Sequence, residues 1–258
     1  IARTNFSFTG EVNVGAGYLR YMQEDKLLMP ASAMKKITPA WIFNELSRSF
    51  ANPLLGIDLR KGDYNLPKGT GWFVEQDFIP RHESASSVVI QGVKEGEKPE
   101  LITMWTVLGY PPVSVAIPLW LKGAEKQLPV LVLTEKGKAA LNNGRGESRA
   151  ADERAYEGLS REDIDYLKSI MRRIMDKIYA YNQGMGSNRY MNWELLYNND
   201  KTGYMQSLAP VEEQVFLLAE PKLDGWRAKG GLDVQQVYQL YNELDRYISE
   251  EYSRLFGL

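Results

Sequence analysis

The fold is decided by residues 84–120, which run SASSVVIQGVKEGEKPELITMWTVLGYPPVSVAIPLW. In this stretch Ser86 to Val93 carries apolar side chains on both alternating faces, with Val88 and Ile90 on one face and Val89 on the other. A strand with two apolar faces has to be covered from both sides. The stretch therefore predicts the interior of a layered structure.

A polar turn at residues 94–99 separates this strand from a second strand at residues 101–108, which is also apolar on both faces. We expect residues 86–93 and 101–108 to pair antiparallel, with at least one helix covering them. A third strand at residues 114–121 contains Pro118. Because proline cannot donate a ladder hydrogen bond, Pro118 indicates an edge strand or a bulge.

The N-terminal region combines one predicted strand with helices. Residues 3–9 alternate as a strand does, and residues 18–36 have helical character, with either a break or a new first helical turn predicted at Pro30. Thr38 and Pro39 form a helix start signal, with threonine as N-cap and proline at the first helical position. We expect this helix to bury one face and to end at about residue 52.

The rest of the chain changes from mixed to mostly helical sequence. Residues 57–85 are polar, glycine-rich and aromatic and predict an irregular segment, and residues 128–133 predict one more short strand. Residues 135–159 have the composition of a linker or loop. Apolar residues at helical spacing predict amphipathic helices at residues 160–182 and 233–256.

These elements predict an α+β chain in three parts. Residues 1–134 form the sheet-containing part, residues 135–159 the connection, and residues 160–258 a mainly helical extension. The apolar stripes of the two C-terminal helices should be docked on the domain or on each other.

Composition excludes several functions. The chain has 258 residues, a formal net charge of −2, one histidine and no cysteine. The balanced charge argues against nucleic acid as a partner, and no run approaches the roughly 18 apolar residues of a membrane span. Without cysteine there is no disulfide, no thiolate nucleophile and no Cys-based metal site, and a single histidine cannot build a histidine cluster. We therefore expect neither metal nor cofactor.

The segment of residues 57–85 supplies most candidate substrate-binding residues. Trp72 and Phe73 can form the wall of a pocket, and Arg60 lies in a stretch with four charges in six positions. His82, the lone histidine, follows in a charged context. Each has a plain structural alternative, because tryptophan and phenylalanine also anchor surface loops and charged turns are commonly solvated.

Two further candidates lie at the head of the first predicted strand. Arg3 can bind a carboxylate through its guanidinium group. The Asn5 amide can donate a hydrogen bond to a developing oxyanion. We therefore take Asn5 as the candidate catalytic residue and Arg3 as a substrate-binding residue.

The chain resembles a known family in two ordered places. Arg3-Thr4-Asn5-Phe6 resembles a short element of the acyl-coenzyme A:6-aminopenicillanic acid acyltransferase-like proteins, which belong with the choloylglycine hydrolases to the N-terminal-nucleophile hydrolases. Ser86 to Gln91, a charged turn and Thr103 to Pro111 resemble the family's late hairpin. The likeness covers roughly residues 1 to 121, while the helical remainder has none.

The resemblance implies an αββα sandwich of two antiparallel sheets with helices outside, here with added C-terminal helices. It also implies a cysteine freed at a new N-terminus by autoproteolysis, whose own α-amine serves as base. Asn5 would then help to hold the oxyanion. The chain departs from the family pattern in two respects, since Phe6 stands where the family has histidine and no cysteine is present.

Two hypotheses follow. In the first, the chain is the C-terminal portion of an amide hydrolase or acyltransferase that acts on a C–N bond other than a peptide bond. The nucleophile would then lie on an upstream fragment of the same precursor, and the substrate would be a small amide or acyl compound. In the second, it is a catalytically inactive ligand-binding or assembly module, whose aromatic loops grip a ligand or partner. An oligomer is compatible with both.

Overall fold

The computed structural model describes residues 16–34, 37–52, 55–82, 84, 86–122, 174–181 and 189–256. Side chains are described from residue 25 onward within these ranges, except those of residues 76, 180 and 181. The strands predicted at residues 3–9 and 128–133 and the connection at residues 135–159 lie outside the described residues.

The first described helix, α1 (Ala16–Ala33), is continuous through Pro30. The predicted break is therefore wrong. A proline inside a helix removes one backbone donor, which leaves the carbonyl four residues earlier, at Lys26, without that bond. Lys26 and Pro30 are both exposed, so water can satisfy this carbonyl.

The predicted helix start at Thr38 is confirmed. The Thr38 side chain accepts a hydrogen bond from the Trp41 backbone N–H at 3.1 Å, and α2 (Pro39–Ile42) follows with proline at its first position. A π-helical turn, Phe43–Ser47, continues the segment, which ends before the predicted boundary. The short strands β1 (Ala51–Asn52) and β2 (Ile57–Asp58) then form a small antiparallel pair.

The central hairpin is confirmed. β4 (Ser86–Gln91) pairs antiparallel with β5 (Thr103–Leu108), and β5 pairs antiparallel with β6 (Ala116–Leu119). The sheet order is β4-β5-β6, so the strand that contains Pro118 lies at an edge, as its sequence predicts.

Coverage of this sheet differs from the prediction. Trp105 and Val107 on β5 are fully buried, and the Trp105 ring stacks on Phe216 with centroids 4.3 Å apart. On the other face of β4, Val88 is 48% exposed and Ile90 is 69% exposed. The prediction that both faces of this strand are covered is wrong, because the helix that supplies Phe216 lies against one face only and β4 lies at the end of the sheet.

A second sheet combines distant parts of the chain. β3 (Trp72–Val74) pairs with β8 (Arg189–Asn192), which also pairs with β7 (Tyr179–Tyr181), and all pairings are antiparallel. A one-turn helix, α3 (Trp193–Leu196), follows β8. Residues 174–178 are helical, but the predicted helix does not reach residue 182, because pairing with β8 turns the chain into a strand at Tyr179.

Two long helices complete the described structure. α5 (Val234–Phe256) confirms the last predicted helix, and the Asp233 side chain accepts from the Gln235 backbone N–H at 3.0 Å. Its apolar stripe is docked, since Val237 and Leu244 are fully buried. α4 (Tyr204–Lys229) was not predicted, because two prolines interrupt its sequence.

A buried ion pair fastens α4 to the other elements. The Arg48 guanidinium donates to both carboxylate oxygens of Glu212, at 2.5 and 2.8 Å. It also donates to the Pro111 and Ser114 carbonyls at 2.8 Å each, while Glu212 accepts from the Ala116 backbone N–H at 2.8 Å. The pair therefore joins the π-helical turn, the β5–β6 connection and α4. The architecture is α+β, with antiparallel sheets and helices packed on them.

Candidate functional site

The structure describes four of the predicted site residues, all of them in the segment of residues 57–85. Trp72 and Phe73 form the start of β3, and His82 follows eight residues after that strand. Arg60 lies beside β2. The predicted catalytic Asn5 and its neighbour Arg3 lie outside the described residues, so their roles stay predictions.

Arg60 contacts the N-terminal helical region. Its guanidinium donates to the Asn44 carbonyl at 2.9 Å and lies 3.5 Å from the Glu45 carboxylate. In the same loop Lys61 pairs with Asp58 at 2.9 Å. The Arg60 contacts hold the loop to the π-helical turn, and a substrate role for Arg60 remains a prediction.

The aromatic side chains of the loop form a packed wall. The Phe73 ring packs edge-on against Tyr64 at 5.7 Å and against Phe78 at 6.3 Å, and Phe78 in turn contacts Phe50. Trp72 points the other way and is 40% exposed. Phe73 therefore serves packing, while Trp72 offers an open aromatic surface.

A carboxylate lies buried next to His82. Glu75 opens a one-turn 3-10 helix, Glu75–Asp77, directly after β3, and its side chain accepts from the His82 backbone N–H at 2.5 Å. The His82 ring is half-buried and packs edge-on against Tyr179 with centroids 5.2 Å apart. The hydrogen bond folds the segment back on itself, which brings the histidine to β7.

Two buried tyrosines continue the cluster. The Tyr179 hydroxyl donates to the Tyr110 hydroxyl at 2.7 Å, and the Tyr110 hydroxyl donates to Met191 Sδ at 3.7 Å. Burial raises the pKa of both phenols far above the ordinary value, and the Glu75 carboxylate raises both further. Both phenols are therefore neutral at physiological pH and act as hydrogen-bond donors.

We call Glu75, His82, Tyr110 and Tyr179 the Glu75 cluster. It places a half-buried imidazole against one of two neutral phenols, and a buried carboxylate on the backbone N–H of the same histidine. Such a set can exchange a proton through the imidazole and can orient a polar substrate group. Among the residues that the structure describes, no three acidic or histidine side chains are arranged to hold a metal ion.

The sequence analysis identified only one member of this cluster. Because residues 57–85 were predicted to be irregular, no sequence signal distinguished Glu75 from the other charged residues of this segment. Tyr110 lies in a turn and Tyr179 in a segment predicted as helix, so nothing in the sequence indicated that their hydroxyl groups meet.

Comparison with known proteins gave no match: no family model fits the chain, and neither a curated protein nor a solved structure is significantly similar. The resemblance to N-terminal-nucleophile hydrolases therefore rests on the motifs in residues 1–121 alone. In the described ranges, none of the helices has the length and apolar character needed to cross a bilayer.

Proposed function

We propose that the chain is the C-terminal portion of an amide hydrolase or acyltransferase of the N-terminal cysteine nucleophile type. The observation that carries the proposal is the β4 side of the central sheet: one face of the sheet packs on Phe216 of α4, whereas on the other face Val88 and Ile90 of β4 are exposed although Thr106 and Ile117 beside them are buried. One half of an αββα sandwich has this arrangement, with the second sheet covering the open face. The motif around Asn5 supports the same class.

The chemistry follows from the class. A thiolate supplied by the upstream fragment attacks the carbonyl carbon of an amide, and the oxygen takes up negative charge. The Asn5 side-chain N–H donates to this oxyanion. Collapse of the intermediate expels the amine, which takes a proton, and leaves a thioester. Water completes hydrolysis, whereas a second amine completes acyl transfer.

The absence of cysteine from these 258 residues makes the proposal directly testable. The protein is isolated from its native source with an antibody to this chain, and amine release is measured on a panel of N-acyl amides before and after iodoacetamide treatment. We expect activity that iodoacetamide abolishes, with the alkyl group on a co-purifying fragment. Activity that survives alkylation overturns the cysteine mechanism, and no activity on any amide overturns the enzyme class.

A substitution at Asn5 tests its role separately. Loss of one oxyanion donor costs about 2.7 to 4 kcal/mol of transition-state stabilisation, or roughly 100- to 1000-fold in rate. Asn5→Ala in the complete precursor should lower kcat by that factor with a smaller effect on KM. Asn199→Ala, at an exposed turn, is the matched control. If Asn5→Ala lowers the melting temperature but leaves kcat intact, Asn5 is a structural cap.

The alternative, a catalytically inactive binding module, has one observation in its favour. Trp72 leaves 40% of its surface exposed, three residues before Glu75 in the chain. An inactive module should bind amides without cleaving them, and Trp72→Phe should weaken that binding. Hydrolysis by the native protein decides against this alternative.

A further inference from the structure

One face of the second sheet is built of uncharged side chains. In the antiparallel β3–β8 ladder Trp72 lies directly opposite Asn192, and Val74 lies directly opposite Tyr190. Directly opposed residues share a face of the sheet, and so do residues two positions apart along a strand. One side of the sheet therefore carries four uncharged residues, which we call the Trp72 face: Trp72, Val74, Tyr190 and Asn192.

The opposite side of this sheet belongs to the core. Met191 is fully buried there, and the Phe73 ring packs edge-on against two neighbouring aromatic rings. On the Trp72 face, by contrast, Trp72 is 40% exposed and the other three residues are half-buried. The Trp72 face is therefore the more open side of the sheet.

The polar groups of the Trp72 face make no hydrogen bonds to the described residues. Asn192 Oδ1 is buried and has no partner there, and the Asn192 side chain does not cap α3, which follows it. In the part of the chain that the structure describes, nothing hydrogen-bonds to the Tyr190 hydroxyl or to the Trp72 indole N–H. Buried polar groups in native proteins are nearly always hydrogen-bonded, and an exception indicates a functional role or an exchangeable partner.

The backbone fixes the position of Trp72. Gly71 before it has a φ of 69°, which favours glycine, and its carbonyl accepts from the Trp193 backbone N–H at 2.7 Å. The Trp72 backbone N–H donates to Thr70 Oγ1 at 3.2 Å. A side chain on a backbone that is already ordered loses less conformational freedom when a ligand binds. Trp72 is thus held at the end of β3 in a position ready to receive a ligand.

We propose that the Trp72 face binds a neutral sugar ring, a hexopyranose that stacks its C–H face on the Trp72 indole. Tryptophan offers a large flat apolar surface with one polar edge. One side of a pyranose ring is lined by C–H bonds, and its hydroxyl groups surround it. These hydroxyl groups bond to the Asn192 amide and to the Tyr190 hydroxyl. Tyr190 is the diagonal neighbour of Trp72, at about 7–8 Å in such a ladder, so one ring can contact both.

The charge of the face argues against ionic ligands. None of its four side chains is charged, so a phosphate or carboxylate group would gain no counter-ion from them. The Glu194 carboxylate lies close to Gly71 but already accepts from the Leu66 backbone N–H at 2.5 Å. A neutral ligand therefore fits the Trp72 face better than a nucleotide does.

The hydrogen-bonding groups distinguish a sugar from a peptide. Proline-rich segments also dock on aromatic surfaces, but a proline residue has no N–H with which to satisfy Asn192 Oδ1. A sugar hydroxyl satisfies the Asn192 amide in either orientation, because it donates to the oxygen or accepts from the nitrogen. The proposal does not depend on the amide chemistry, since it needs neither Asn5 nor a cysteine.

Saturation-transfer NMR with simple glycosides tests the site. The whole chain is mixed with the methyl glycosides of glucose, galactose, mannose and N-acetylglucosamine, each at up to about 50 mM, which covers millimolar dissociation constants. We expect transfer to the ring C–H protons of at least one glycoside. Trp72→Ala should weaken its binding at least about tenfold, because the stacking surface is lost. Melting temperatures of all variants confirm that they are folded.

Asn192→Leu separates binding from folding. Leucine has nearly the shape of asparagine, and removing a buried polar group that has no partner is neutral or stabilising. This variant should keep or raise the melting temperature while it weakens glycoside binding at least about tenfold. Tyr190→Phe should also weaken binding at an unchanged melting temperature. Tyr247→Phe on α5, half-buried like Tyr190, is the matched control and should bind as the wild type does.

Three results overturn the proposal. The first is no transfer to any of the glycosides, whether or not a proline-rich peptide or an N-acyl amide binds at Trp72 instead. The second is glycoside binding that Trp72→Ala leaves unchanged. The third is an Asn192→Leu variant that binds glycosides like the wild type or has a lowered melting temperature, which would make Asn192 a structural residue. Amide hydrolysis is measured separately, so each of these results leaves the proposed enzyme class untouched.

Discussion

Removal of the Arg48 side-chain charge should destabilise the protein more than an ordinary substitution. Arg48 and Glu212 are both buried, and the Arg48 guanidinium satisfies both carboxylate oxygens and the Pro111 and Ser114 carbonyls. Arg48→Met keeps most of the aliphatic volume but leaves the Glu212 carboxylate buried without its counter-charge. Breaking a buried pair from one side costs about 3–5 kcal/mol.

The expected loss is a large part of the total stability, which is about 5–15 kcal/mol for a typical protein. For a chain of this size, each kcal/mol shifts the melting temperature by about 2–4 °C, so Arg48→Met should lower it by roughly 6–20 °C. Urea unfolding followed by circular dichroism gives the free energy directly. Arg246→Met, at an exposed position of α5, is the control and should change stability by less than about 0.5 kcal/mol.

A second substitution separates the charge from the packing. Glu212→Gln removes the carboxylate charge, while its amide oxygen can still accept from the Ala116 backbone N–H. The double variant Arg48→Met/Glu212→Gln should therefore be more stable than the sum of the single losses predicts, by at least about 1 kcal/mol. Additive losses, or a cost of Arg48→Met below about 1 kcal/mol, would refute the argument from uncompensated charge.

Two smaller predictions concern single hydrogen-bonding groups. The buried Tyr252 hydroxyl accepts from the Val115 backbone N–H at 3.1 Å, so Tyr252→Phe should cost about 1–3 kcal/mol in urea unfolding; a neutral result would mean that this N–H finds another acceptor. The Leu232 backbone N–H and the Lys122 ammonium lower the pKa of Glu100 in the folded protein. The ionised Glu100 side chain therefore contributes to the stability of the fold at pH values above the ordinary carboxyl pKa, and this contribution is lost as pH falls through the lowered folded pKa. Glu100→Gln should reduce the acid sensitivity of the unfolding midpoint, and an unchanged pH profile would contradict this.

The elements that were predicted correctly are those with a clear local signal in the sequence, such as a helix cap or an alternating apolar pattern. Thr38 caps its helix as expected, and the alternation of residues 86–93 and 101–108 around a polar turn predicted the β4–β5 pair. The last helix has a cap at Asp233 and a regular apolar stripe. In each case the local preference and the tertiary environment favour the same structure.

The elements that sequence analysis missed depend on distant partners. Tyr179 to Tyr181 becomes a strand through pairing with β8, although the residues before it follow a helical pattern. Exposure of Val88 was not foreseen, because apolar alternation indicates burial without showing what covers each face. Tertiary pairing overrides local pattern at both places.

In the candidate site, too, single residues could be identified from the sequence, whereas their contacts with distant residues could not. Trp72 and His82 were identified by type, as an aromatic residue and the lone histidine in a polar segment. Glu75 reaches His82 within seven residues of the same segment, whereas Tyr179 and Tyr110 join His82 only because β3 and β7 both flank β8 and the β5–β6 connection lies beside them. No sequence spacing encodes contacts between residues that lie about 70 or more positions apart.

The two prolines within α4 determine how this helix can form. Pro210 and Pro221 lie on its exposed face, and each costs about 3 kcal/mol in a helix without tertiary support. A helix in isolation gains too little to offset such a cost. The helix therefore exists because Val215 and Trp226 are buried against the rest of the protein. A peptide of residues 204–229 should therefore be unstructured in water. In the whole protein α4 does not fold independently, and it should form only after the sheet against which it packs.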